Sequence, residues 1–133
     1  MNSVLAIAVG GAAGAVLRHF VAGWIAGIGG HVMGMPIGIL ACNILGSAAM
    51  GALAGAFMGL WHPPMEVRLL LTTGLLDAFT TFSTFSLEAI LLLERGRTIT
   101  TAVYIGLSVV LSVSALLGAM RLVRWIARSG VTT

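Results

Sequence analysis

Thr80-Thr81-Phe82-Ser83-Thr84-Phe85 sits in the middle of a segment otherwise apolar enough to lie in lipid. A spanning helix would normally carry Leu and Val there. Thr and Ser instead compete with the helix for backbone hydrogen bonds. Inside a bilayer, unpaired backbone is tolerated only where it is buried in protein or lines a polar path. The run therefore predicts a broken helix over 77–83. The alternative is one tilted helix whose hydroxyls bond back to their own carbonyls.

The surrounding chain sets the class. Only 8% of its 133 residues are charged and 59% are hydrophobic, whereas a soluble domain carries roughly 25% charged residues. Mean hydropathy is +1.08. We read an all-α integral membrane protein with one transmembrane domain, 1–133. Four stretches are long enough to span at about 20 residues each: 3–28, 36–60, 66–93 and 99–126. About 30 unbroken residues in the third would extend about 45 Å, longer than a hydrocarbon core of about 30 Å. That excess again favours two half-helices. No cleavable leader is expected, because the first stretch lacks a basic start and runs too long. The sequence pI near 10.6 comes from Arg flanking apolar segments, which gives no support to a nucleic-acid partner. Cys42 lies alone in an apolar stretch and indicates neither disulfide nor metal. No His/Cys/Asp/Glu cluster has metal spacing, and no catalytic grouping is credible, so no enzyme is expected.

Small residues recur every four positions at Gly10/Gly14, Gly23/Gly27 and Ser47/Gly51/Gly55/Gly59, a pattern that lets helices approach closely in lipid. Four spans enclose little interior, so a polar pathway calls for a second copy. Arg68, Arg121, Arg124 and Arg128 belong to the side of the membrane that holds both chain ends. Arg95, Arg97 and Arg18 belong to or lean toward the other. A four-to-three split offers almost no asymmetry for the positive-inside rule, which points to insertion both ways round.

Polar groups within the spans are the site candidates. Asn43 is either interhelical glue or a donor to an anion. Tyr104, Ser108 and Ser112 fall at i, i+4, i+8, on one helical face, as a hydroxyl track opposite the break. Phe82 and Phe85 are one turn apart, and their ring edges carry partial positive charge. Charged residues in spans are functional candidates by default: Glu88 could reach an Arg or a helix N-terminus, Arg18 is a possible partner or anion attractor, and Asp77 starts the expected break.

Three stretches together resemble one family. Gly10-Gly11-Ala12-Ala13-Gly14-Ala15 followed by Arg18 resembles the opening of the Fluc (CrcB-type) fluoride channels. Residues 38–46, Gly-Ile-Leu-Ala-Cys-Asn-Ile-Leu-Gly, resemble their second-segment motif. Residues 73–88, Thr-Gly-Leu-Leu-Asp-Ala-Phe-Thr-Thr-Phe-Ser-Thr-Phe-Ser-Leu-Glu, resemble their third-segment signature. The resemblance covers the whole chain. It implies an antiparallel, dual-topology homodimer with the third helix broken mid-membrane. It also implies fluoride pathways lined by Asn43, Phe82, Phe85, Ser83, Thr84, Tyr104, Ser108 and Ser112. A central sodium (Na+) would be held by backbone carbonyls at positions matching Asp77 and Thr80. The biology implied is passive fluoride export across a bacterial inner membrane. This chain departs from the family pattern twice, with Ile39 where the pattern has Thr and Asp77 where it has Gly. The runner-up is a small multidrug-resistance-type transporter, also four spans and dimeric, which needs a carboxylate in its first span. The first span here has none. A purely structural membrane subunit would not need the hydroxyl track.

Overall fold

The structure is a computed structural model that describes residues 2–29, 31, 32 and 34–129. Four helical stretches are long and apolar enough to cross a membrane: Ser3–Gly29, Ile37–Phe57, Met65–Glu94 and Thr98–Ser129. The chain is an all-helical, multi-pass membrane protein. Among the described residues, the strand structure is one short antiparallel pair of two residues each, between the first two spans.

The first span, α1, runs Ser3–Gly29. β1 (His31–Val32) pairs antiparallel with β2 (Met35–Pro36), with Val32 opposite Met35, a pairing that sequence patterning did not suggest. The turn between them uses Gly34 at φ +75, a conformation glycine adopts without a Cβ penalty. The second span, α2, runs Ile37–Phe57. It stops short of the expected residue 60, because the N–H groups of Gly59, Leu60 and Trp61 all turn back onto the Ala56 carbonyl at 2.8–3.2 Å.

The third span is built in pieces. α3 (Met65–Leu69) passes into a π-helical stretch, Leu70–Leu76, and then into the single turn α4, Asp77–Phe79. Thr80 and Thr81 are extended, at φ/ψ −83/158 and −153/119. Helix resumes as α5, Phe82–Glu94. Of the interval 77–83, only these two residues leave helical geometry. Asp77 does not open the interruption. It lies in a helical turn at φ −65, ψ −34, with its side chain exposed. Thr81 caps α5 by accepting from the Thr84 N–H at 3.2 Å, the role in which Thr is favoured at a helix start. The fourth span, α6, runs Thr98–Ser129.

Packing follows the small residues. A side chain at Gly51 would strike the Leu116 carbonyl of α6, and one at Gly55 would sit 2.8 Å from the Met120 carbonyl. α2 and α6 are thus in near backbone contact, which maximises dispersion where lipid supplies no hydrophobic drive. Gly10 and Gly14 do the same for α1 against the backbone of Leu70, Gly74 and Leu75. A side chain at Gly23 or Gly27, by contrast, would start in open space, so among the described residues that pair mediates no close helix approach. The buried apolar cluster comprises Met35, Ile39, Phe85, Ala89, Leu92 and Tyr104. It places Ile39 against the aromatic pair, where an apolar side chain is worth roughly 1.5–3 kcal/mol in burial.

A polar cavity at the interrupted helix

Leaving the helix exposes backbone groups at Thr80 and Thr81, and two residues from other spans meet them. Asn43 of α2 uses both ends of its amide. Its Oδ1 accepts from the Thr81 N–H at 2.8 Å, and its Nδ2 donates to the Thr81 carbonyl at 3.1 Å. Arg18 of α1 points Nη1 at the Thr80 carbonyl, 3.4 Å away. The Thr80 hydroxyl donates to the Leu76 carbonyl at 3.1 Å. The Thr81 hydroxyl donates to Thr84 Oγ1 at 3.1 Å and lies 3.3 Å from Ser83 Oγ. Of the two readings of Asn43, the glue reading describes its bonding. Its amide bridges spans two and three.

Phe82, Phe85 and Tyr104 form a continuous aromatic run. Ring centroids are 5.5 Å apart for Phe82–Phe85 and 5.4 Å for Phe85–Tyr104. The three are not equivalent. Phe82 is 78% exposed, whereas Phe85 is 7% exposed and Tyr104 fully buried. The Tyr104 hydroxyl donates to Glu88 Oε2 at 2.6 Å. Glu88 therefore meets a tyrosine, not the arginine or helix N-terminus expected of it. Arg18, its possible partner, is engaged at Thr80.

A cavity of about 290 Å³ opens beside the interruption. Asn43, Thr80, Thr81, Phe82 and Phe85 line one side of it, and Ser108 and Ser112 line the other. The Oγ atoms of Ser108 and Ser112 are buried, with no hydrogen-bond partner among the described residues. Buried polar atoms are overwhelmingly paired, so two unpaired hydroxyls on residues that line one cavity stand out as groups with hydrogen-bonding capacity left over. Ser47 also lines it. Sequence reading placed Ser47 only in a packing stripe, yet its position one turn beyond Asn43 was a usable signal, since i and i+4 share a helix face.

The predicted site residues do not all converge. Thr84 and Glu88 line a second cavity of about 330 Å³ with Ile39, which shares no residue with the first. Ser83 and Asp77 line neither. Tyr104 stands apart from the Ser108–Ser112 wall with its hydroxyl already committed.

Residues 77 and 80 can be tested as cation donors. The N–H four residues beyond Asp77, that of Thr81, donates to Asn43 instead, so the usual α-helical partner of the Asp77 carbonyl is diverted. The Thr80 carbonyl, however, faces a guanidinium. Hard cations bind through shells of several oxygens. The donors of one chain do not fit such a site, and Arg18 opposes it electrostatically.

Interrupted backbone bonded by side chains of other spans, beside a cavity lined by Ser108 and Ser112, defines a multi-pass membrane protein with a polar cavity among its spans. Residues 5–120 match the family described as CrcB-like protein, Camphor Resistance (CrcB). The chain is 43% identical over 124 residues to the fluoride-specific ion channel FluC of Rhizobium etli, covering 93% of this chain and 98% of the relative. It is 42% identical over 127 residues to that of Rhodospirillum centenum, covering 93% and 97%. It is 44% identical over 130 residues to that of Erythrobacter litoralis, covering 96% of each chain. The chain belongs to the CrcB family.

Proposed function

We propose that this protein is a fluoride-selective channel that lets fluoride leave a bacterial cytoplasm passively through the inner membrane. The observation that carries the reading is the unpaired hydroxyls of Ser108 and Ser112, residues that line one cavity together with the interrupted third span. Fluoride holds its water tightly, so a pathway must replace that water with donors. The two serines can each turn an O–H toward the ion. Phe82 and Phe85 can offer positive ring edges beside them. Asn43 contributes by holding the Thr81 backbone, with one Nδ2 hydrogen to spare. The family's relatives are named as fluoride-specific channels, which supports the same substrate. Chloride is larger, and its exclusion rests on narrowness.

The channel works as an antiparallel dimer of two copies inserted in opposite orientations, with the Thr80–Thr81 interruption lying mid-membrane. Supporting this, the arginines divide four to three, and Phe82, Val109 and Val113 at the edge of the main cavity are 78%, 52% and 61% exposed in the single chain. A second copy would close that edge. A sodium near residues 77 and 80 would have to draw donors from both copies. Asp77 adds a carboxylate there and Arg18 a guanidinium, so we propose a cation site altered from the family's, with the Asp77 carboxylate as its added donor.

Fluoride efflux from liposomes loaded with purified protein tests the reading, with chloride as control. Fluoride is expected to leave and chloride to stay, and comparable efflux of both ions ends the proposal. Repeating it with sodium against a large organic cation, for the native chain and for Asp77→Gly, tests the cation site. Identical responses of the two forms remove Asp77 from it. Cysteine labelling from each side of the membrane should find both orientations in similar numbers, and one fixed orientation rules out the antiparallel pair.

A further inference from the structure

A second polar feature lies away from the interrupted helix, at the end of the bundle where α2 and α6 both finish. A cavity of about 240 Å³ there is lined by Gly55, Met58, Gly59, Arg124, Ala127 and Arg128. Arg124 and Arg128 stand at i and i+4 on α6, so both guanidinium groups address the same side of the helix. Among the described residues neither is paired with a carboxylate. The contact made by Arg124 is to the Met58 thioether sulfur, a weak acceptor that leaves most of its five N–H donors unused. The neighbouring Arg68 lies over the Phe57 ring at 4.9 Å.

The bland explanation is that cations gather at helix C-termini because the backbone there is partly negative. It covers Arg128, which lies in the last turn of α6, but not Arg124 one turn earlier, nor the cavity in front of both. Two of the closing carbonyls of α2 are already taken. Gly55 accepts from the Met58 N–H, and Ala56 accepts from three successive N–H groups. The arginines are thus not spent on capping α2. The room in front of them exists because the wall is made of two glycines and an alanine. Trp61 and Trp125 flank the region, 42% and 66% exposed, as amphipathic rings do at the level of lipid headgroups.

We propose that this cavity is a binding site for the phosphodiester headgroup of an anionic phospholipid. Arg124 and Arg128 grip the phosphate oxygens, and Gly59 and Ala127 leave room for the glycerol end. A guanidinium matches phosphate with paired N–H donors, and basic pockets between spanning helices suit acidic headgroups. The site is independent of the ion pathway, so the failure of either proposal leaves the other standing.

Native mass spectrometry of the protein, purified from micelles containing equal phosphatidylglycerol and phosphatidylcholine, reads the retained lipid directly. The native chain should retain phosphatidylglycerol preferentially. Arg124→Gln with Arg128→Gln should reduce that preference about thirtyfold, each basic residue near an anionic surface counting for roughly fivefold. Gly59→Leu keeps every charge but fills the cavity. A Cβ at 59 comes no closer than 3.8 Å to Ala127, so the side chain starts without a clash; folding is checked by thermal unfolding in detergent, and the folded variant should lose the preference too. Full retention by a folded Gly59→Leu variant overturns the cavity site in favour of diffuse attraction. Unchanged retention in the double glutamine variant, or displacement of the lipid by inorganic phosphate at comparable concentration, overturns the headgroup assignment.

Discussion

On one wall of the main cavity Asn43 meets both backbone groups of Thr81; on the other, Ser108 and Ser112 meet nothing. Both walls are polar and both lie within spans. The first wall is closed bonding, in which each amide end answers a group that leaving the helix has set free. The second is open, with donors held out of water and given no partner. The difference separates what holds the third span in two pieces from what the proposed pathway would offer an ion. A polar residue inside a membrane protein therefore cannot be assigned to conduction by depth alone. Its bonding decides.

That contrast can be broken by mutation. The largest effect belongs to the closed wall. Asn43→Ala strips partners from one N–H and one C=O of Thr81 at once. The expected cost is about 2–6 kcal/mol, since each buried group left unpaired costs roughly 1–3 kcal/mol. Thermal unfolding in detergent should show that loss, together with lost fluoride flux. A stable variant with normal flux would mean that the two extended residues need no support from α2.

The open wall should behave in the opposite way. Ser108→Ala with Ser112→Ala removes two buried hydroxyls that have no partner in the chain, so the variant should be at least as stable as the native protein, each unpaired group removed relieving a cost of up to roughly 1–3 kcal/mol. Flux should fall about tenfold, because each donor to the ion counts for roughly 0.5–1.5 kcal/mol or more. Melting and liposome efflux on the same preparation check both halves. A destabilised protein with intact flux would reverse the contrast.

The smallest effect sharpens the comparison. Phe82→Ile deletes a ring that packs little within one chain, so the fold should hold. A ring-edge interaction counts for roughly 0.5–1.5 kcal/mol, and flux should drop roughly two- to tenfold. Phe85→Ile should show a similar drop and in addition cost about 1–2 kcal/mol in stability, because Phe85 is buried between Phe82 and Tyr104. Unchanged flux in both folded variants would return the pair to the status of ordinary packing.

The four spans were legible because apolar length is a direct physical requirement of the bilayer. The third span's irregularity was legible because Thr80, Thr81, Ser83 and Thr84 are poor company for an uninterrupted helix. The π-helical stretch Leu70–Leu76 was not. It contains no proline to announce it, and it arises where Gly10 and Gly14 of another span press against the backbone of Leu70, Gly74 and Leu75. The pairing of Tyr104 with Glu88 was equally out of reach, since it joins two spans whose relative rotation no periodicity fixes. Sequence put Tyr104, Ser108 and Ser112 on one face, as helical spacing requires. It could not tell that Glu88 takes the first and leaves the other two free. Asn43 and Ser47, one turn apart, were closer to hand.

The π-helical stretch has a consequence for how the chain tolerates changes of length. In an α-helix each residue turns the direction of all that follows by about 100°. A segment closed by i→i+5 bonds carries extra chain within its turns, so it sets the azimuth at which Asp77, Thr80 and Thr81 emerge. Losing one residue between 70 and 76 would not merely shorten the span. It would re-aim the Thr81 backbone away from Asn43, much as dropping a tooth from a gear shifts every tooth after it. The stretch is a phase adjuster, and its residue count is as much a part of the pathway as any side chain that lines it.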